Sequence, residues 1–217
     1  MEGLSVEKNI GKALEWYLLS AENGFAPGQF NASRLLLGEE EGIDSTKFLN
    51  IETGIKWLVE AANAGNSDAL NNLAQKFLEG VLVPQDANYA CELLKYAIKG
   101  NPKNYSAHNN IGSCYGVWIK PVDIEKAIYH HRLAAEEGIV AAQSNLGGHL
   151  FRSGWESQDL ERKLEGIMWL EIAIKKGNEG ARKNIEILTK YVPRLMLEEG
   201  KKLAEKCIKL SYKNCRF

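Results

Sequence analysis

Asparagine recurs at a fixed place along this chain. Asn31, Asn72, Asn110, Asn145 and Asn184 are separated by 41, 38, 35 and 39 residues. Each follows a small residue by three positions (Gly28, Ala69, Ala107, Ala142, Ala181) and directly precedes a packing position (Ala32, Leu73, Ile111, Leu146, Ile185). A period in this range belongs to stacked helical solenoids. One such unit cannot bury its apolar face alone, so its neighbours must stack on it. A polar residue held in register then lines one face of the stack.

The local pattern is helical. In 69–81 and 107–117 the packing residues fall at i, i+4 and i+8, one face of a helix. A third copy runs from Ala142 to Leu150. After each copy comes a turn holding Gly, Pro or Asp, and then a second helical segment: Asp86 to Lys99, Asp123 to Glu137, Leu160 to Lys176. Asp at or near such a start caps free backbone N–H groups. The second segments align as Ala13-x-x-Trp16, Gly54-x-x-Trp57, Ala90-x-x-Leu93, Ala127-x-x-His130 and Gly166-x-x-Trp169. Small residues follow four positions later: Ser20, Ala61, Ala97, Ala134 and Ala173. They let the two helices of a pair approach closely. Trp16, Trp57 and Trp169 are therefore expected in the inter-helix core rather than on a binding strip. Gly24, Gly65, Gly100, Gly138 and Gly177 suit the left-handed position just past a helix end.

These residues resemble the Sel-one-like repeat (SLR), a relative of the tetratricopeptide repeat. The matching pattern is Ala-x3-Leu-Gly-x2-Tyr-x2-Gly, then Asp-x3-Ala-x2-Trp-x3-Ala-Ala-x2-Gly, covering about Gly3 to Lys190. Ala32, Leu93 and His130 depart from it, and the stretch from Leu37 to Ile51 is longer than the family's usual loop. The resemblance implies an all-α, right-handed α/α superhelical solenoid of about ten or eleven helices. It would form one domain over 1–217. The second helix of a partial repeat spans 3–25, repeats span about 26–65, 66–101, 102–138 and 139–177, and 178–217 holds a final helix and a C-terminal cap. The cap is expected from Arg194 to Leu210, after Pro193, with apolar residues on one side and Lys and Glu on the other.

The partial repeat lacks its first helix, leaving an apolar stripe open. Several hundred Å² exposed would forgo roughly several kcal/mol at about 25 cal/mol per Å². A missing upstream segment, or contact of this end with another molecule, is the expectation.

Composition narrows the chemistry. Net charge is −1, so no basic field exists to hold a phosphate backbone. No apolar run approaches the roughly 20 residues that span a bilayer. Met1 opens no cationic start with an apolar core. A cytoplasmic home is favoured; a periplasmic or secreted one would need an upstream signal. None of the four cysteines sits in a C-x-x-C pair, so no zinc site is expected. They are out of register between repeats, which fits free thiols in reducing surroundings, with Cys215 exposed near the end. Cys114 and His149 share a repeat position, but stacked helices would hold them roughly 8–10 Å apart, too far for a thiolate–imidazole pair. Of two adjacent histidines, His130 is expected in the core and His131 in solvent. No catalytic residue and no cofactor is expected.

Binding is left to the ladder. An amide both donates and accepts, so it matches an extended peptide group. Helical geometry places Arg34, Gln75, Ser113 and Arg152 on the asparagine stripe, with Asn71, Asn109 and Lys183 at its border. Asn31, Arg34, Asn71, Asn72, Gln75, Asn109, Asn110, Ser113, Asn145, Arg152, Lys183 and Asn184 are the candidate binding residues. A purely structural role, bonding neighbouring helices, is the competing reading of the ladder. The resemblance implies an adaptor that takes a protein or peptide in a concave groove. It also brings two alternatives, an immunity protein that occludes a bacterial toxin and a β-lactam-binding hydrolase.

Overall fold

The computed structural model describes residues 9–39, 46–213 and 215. Residues 3–8 of the expected partial repeat and 40–45 of the long loop lie outside them. The described residues form α-helices and no strand. The chain divides into two compact units, 1–102 and 103–217.

Unit 1 holds α1 (Ile10–Glu22), α2 (Ala26–Leu36), α3 (Ile51–Asn63), α4 (Ser67–Glu79) and α5 (Ala87–Gly100). Helices adjacent in sequence pack as neighbours. Unit 2 holds α6 (Tyr105–Ser113), which runs into a π turn at Cys114–Trp118, then α7 (Ile124–Ala135), α8 (Val140–Glu156), α9 (Leu160–Lys175), α10 (Glu179–Leu188) and α11 (Arg194–Lys209). The sequential pairing continues through α9, and α11 folds back onto α9 as a cap. The helix–turn–helix periodicity read from the sequence is thus the architecture.

The helix starts have a chemical cause. Asn9, Asn50, Asp86, Asp123 and Asp159 each accept a hydrogen bond from the backbone N–H three residues on, and so start the second helices. Asn66, Asn104 and Asn178 do the same for first helices α4, α6 and α10. Five of the 17 asparagines are therefore caps, a second register running beside the ladder. Of the five glycines expected in the left-handed region, Gly24, Gly65, Gly138 and Gly177 have φ of 77–86°. Gly100 does not. It is the last residue of α5, and the chain leaves through Asn101 in an extended conformation.

The second helices bury a register that the alignment on tryptophan did not single out. Leu58, Leu94, His131 and Leu170, one residue after the tryptophan position, are all but inaccessible to solvent. The tryptophan position itself varies. Trp169 is fully enclosed, in a cluster with Ile128 of α7, Leu146 and Leu150 of α8 and Leu203 of α11. Trp57 is half-buried, packed beside Leu14 and Leu36. Trp16 is 69% exposed, against the expectation of a core residue, because no described element covers that side of α1. The same register reverses the two histidines. His131 stands four residues after Ala127 and is buried, whereas His130 is half-buried. The cysteine expectation also fails. Cys215 is buried and joined to Cys207 in a disulfide, and no free thiol exists among the described residues. Cys114 is itself buried without a free thiol, which removes a Cys114–His149 nucleophile.

Helix pairs in unit 2 meet through glycine. A Cβ on Gly166 would lie 2.5 Å from the backbone N of Phe151, and one on Gly147 2.8 Å from the carbonyl O of Gly166. Backbone stands on both sides, so neither clash has a flexible side chain to relieve it. Gly166→Ala should cost about 2–3 kcal/mol or more in urea unfolding. Gly148 is the internal control. A Cβ there meets only Asn184 Nδ2, at 4.0 Å, so Gly148→Ala should be neutral or gain up to about 1 kcal/mol from helix propensity.

Candidate functional site

The sequence-derived candidates fall into two groups, one in each unit. In unit 1, Asn31 and Arg34 lie on α2, with Arg34 over the Phe30 ring at 5.9 Å. Asn71, Asn72 and Gln75 lie on α4. Asn72 Nδ2 donates to Glu39 Oε2 at 3.0 Å, and Lys76 pairs with the other Glu39 oxygen. Gln75 is exposed and donates to Glu79 on its own helix at 2.8 Å. The second-repeat amide thus ties α4 to the segment that follows α2, a structural use.

Unit 2 brings its candidates together more closely. Asn109 Nδ2 donates to Asn110 Oδ1 at 3.2 Å, and Asn145 Nδ2 donates to Asn109 Oδ1 at 3.2 Å. The bond joins successive first helices, α6 and α8. Asn184 on α10 continues the row beside Gly148. Ser113 turns its hydroxyl back to the Asn109 carbonyl at 3.4 Å, within its own helix. Lys183 and Asn184 are exposed, as is Arg152, which pairs with Glu156 at 3.1 Å. α6 and α8 present half-exposed amides bonded to one another, and α10 adds the exposed Asn184, with cations at one end.

Sequence reasoning missed what lies at that end. A cavity of about 350 Å³ opens between α8 and the turn after α10, lined by Phe151, Arg152, Trp155, Glu156, Leu188 and Tyr191. Phe151 and Leu188 form its apolar floor with the cluster around Ile167 and Val192. Trp155 has two partners: the Phe151 ring stacks at 5.9 Å, and Lys163 Nζ sits over the indole at 5.2 Å. Yet Trp155 and Tyr191 are 49% and 65% exposed. The two rings thus leave apolar surface open at the mouth of the cavity. Neither residue sits at a repeat position, so the alignment of repeats had no column for them.

A second missed feature is a buried glutamine one residue after the repeat's small residue. Gln29 donates to the Ala21 carbonyl at 3.4 Å and Gln143 to the Ala135 carbonyl at 3.1 Å. Each ties a first helix to the end of the helix before it. The periodicity held this signal at Gly28-Gln29 and Ala142-Gln143.

No helix among the described residues is long and apolar enough to cross a membrane. No cluster of His, Cys, Asp or Glu there is arranged to hold a metal.

The repeated small-residue crossings and terminal glycine turns define a class, the SLR solenoids. The Sel1 repeat model matches residues 1–25, 31–66, 67–102, 106–139 and 140–178, and the chain belongs to that family. Proteins with Sel1 repeats generally mediate protein–protein interaction. Among solved structures, the chain is similar to a protective antigen present in uropathogenic Escherichia coli strains that displays an SLR fold. Identity is 27% over 98% of this chain, with a TM-score of 0.77. The chain spans 44% of that antigen's length. It is also similar in fold to a Sel1 repeat protein from Oxalobacter formigenes, at 22% identity, covering 96% of this chain and 81% of the other, with a TM-score of 0.68. No curated protein sequence matches.

Some of these residues bond a neighbouring helix, whereas others stand exposed on their own helix. Asn145→Ala should lose about 0.5–1.5 kcal/mol of stability. A double-mutant cycle with Asn109→Ala should show most of that loss as coupling between the two. Lys183→Ala, at an exposed position, should stay within about 0.5 kcal/mol of wild type.

Proposed function

We propose that the chain is a protein-binding module. Its contact surface is the face of unit 2 built from α6, α8 and α10, and its ligand is an extended segment of a protein partner. The row Asn109, Asn110, Asn145 and Asn184 supplies paired donors and acceptors for a peptide backbone. The Trp155–Tyr191 cavity takes one bulky apolar side chain. Arg152 and Lys183 stand close enough to that row to meet a carboxylate from the same segment, Arg152 by exchanging Glu156 for the ligand.

The observation that carries this reading is the exposed, clamped Trp155. Burying it under a ligand removes apolar surface without first ordering the side chain, so little conformational entropy is lost on binding. The face is also pre-formed on packed helices, as interaction surfaces on solenoids are.

Selection of a random peptide library on the purified protein tests the reading. Enriched peptides should combine a bulky apolar residue with an acidic residue nearby. Trp155→Ala should weaken their binding by about tenfold to a hundredfold, as expected for truncating an aromatic anchor. Asn145→Ala should weaken it less, and a Gln75→Ala change in unit 1 should leave it unaltered. Peptides that bind Trp155→Ala as tightly as wild type would move the contact surface elsewhere.

A further inference from the structure

All four histidines of the protein lie in unit 2, and the fold gathers them into one row. His108 Nδ1 on α6 and His130 Nδ1 on α7 are 2.9 Å apart, with their rings stacked at 5.1 Å. His131 is next in the chain, and its ring stacks on His149 of α8 at 5.3 Å and 16°. Tyr115 stacks on the far side of His130 at 5.8 Å, and Tyr129 meets it edge-on at 5.0 Å. Glycines make room for the row. A Cβ on Gly112 would come within 2.8 Å of the His131 ring, and one on Gly116 within 2.7 Å of the His149 ring.

His131 is the centre of the row. It is fully buried, and neither ring nitrogen has a hydrogen-bond partner. At the same position α3, α5 and α9 carry the buried Leu58, Leu94 and Leu170, and α1 carries the half-buried Tyr17. A leucine would fill this site with no titratable group, so the imidazole brings a property that packing does not require.

We propose that the row is an acid-operated latch: while its rings are neutral it holds α6, α7 and α8 together, and acidification releases these helices in unit 2 but not in unit 1. Burial is the first cause. It holds His131 down to about 3, helped by the His149 and His130 rings. Burial, then the neighbouring His108, brings His130 to about 4. Burial and then Arg152 lower His149. No carboxylate acts on these three rings. The charged side chains on the elements around them pair with one another: Lys126 with Asp123, Glu125 with Arg162, Arg132 with Glu165, and Arg152, besides acting on His149, with Glu156. A proton arriving on His130, His131 or His149 therefore meets no carboxylate counter-charge, and on His149 it also meets Arg152.

The sign follows from linkage. An imidazole freed into water binds its proton near 6.5, whereas the closed row refuses one until about 4 for His130 and about 3 for His131. In that window the open form binds more protons than the closed form. The closed form is thus most stable above about pH 6.5 and loses stability as pH falls. Opening takes up as many as three protons, so the opening constant rises by up to about a thousandfold per pH unit. α6 and α8 carry Asn109 and Asn145, so release of a partner in acid would follow; that consequence rests on the binding surface proposed above, but the opening itself does not.

Amide hydrogen exchange on the full chain at pH 7 and pH 5, corrected for intrinsic rate, tests the latch beside the variant His131→Leu. Wild type should lose protection in α6, α7 and α8 while α3, α4 and α5 keep theirs. His131→Leu should reduce the pH dependence to at most about a hundredfold per unit. Equal loss in both units, no loss in α6–α8, or an unchanged dependence in His131→Leu overturns the proposal. Ring-nitrogen NMR of the wild type gives a readout that needs no variant. His131 should stay neutral in the folded protein down to about pH 4, and a His131 ring titrating near 6.5 without unfolding overturns the latch.

Discussion

The backbone contact between α8 and α9 is the constraint on which unit 2 depends. Gly147 and Gly166 face one another at a distance that admits no side chain, so the helices meet main chain to main chain. Dispersion contacts at that separation are numerous, and they fix the angle and height at which the pair crosses. Everything that projects from the pair inherits this setting. Trp169 is enclosed because α9 is pressed inward, and Phe151, one turn beyond Gly147, is delivered to the cavity floor. Arg162 then locks the periphery. Its guanidinium donates to both oxygens of Glu125 on α7, at 2.6 and 3.1 Å, and to the Ser153 hydroxyl of α8 at 2.6 Å.

Much of this was legible from residue spacing. Small residues seven apart on the second helices, Asp at the starts and Gly at the ends gave helix order and most boundaries, whereas the asparagine caps emerged only in the fold. Physical reasons account for the failures. The tryptophan column looked like a core column because Trp169 and Trp16 share it, yet burial there depends on what covers the helix, and a repeat does not specify its neighbour. The His130–His131 reversal has the same root. The conspicuous residue marks one side of the buried stripe, while the deepest position lies a residue later, where leucine is too ordinary to draw notice. Gly100 fails by a different route: α5 absorbs it as its last residue, and Asn101 makes the exit in extended form.

The candidate site was legible only in its polar half. Recurrence singled out the asparagines, and in unit 2 the fold does join Asn109 and Asn145. Recurrence could not distinguish an amide that bonds the next helix from one offered to a ligand, since both uses demand the same residue at the same height. Trp155 and Tyr191 occur once each, outside the repeat. A single exposed aromatic carries no periodic signal and is recognised only when Phe151 and Lys163 are seen to hold it still.

Gly148 lies between the tight helix crossing and the exposed row of amides. It is on α8, one residue from the tight crossing at Gly147, yet faces open space toward Asn184. The two adjacent glycines therefore meet opposite steric constraints. One is pinned by the fold, and the other has room for a side chain. Lineages could diverge in what they recognise by single changes at Gly148 while the scaffold beneath stays constant. Such a position gives a repeat protein room to evolve new specificity without passing through an unfolded ancestor.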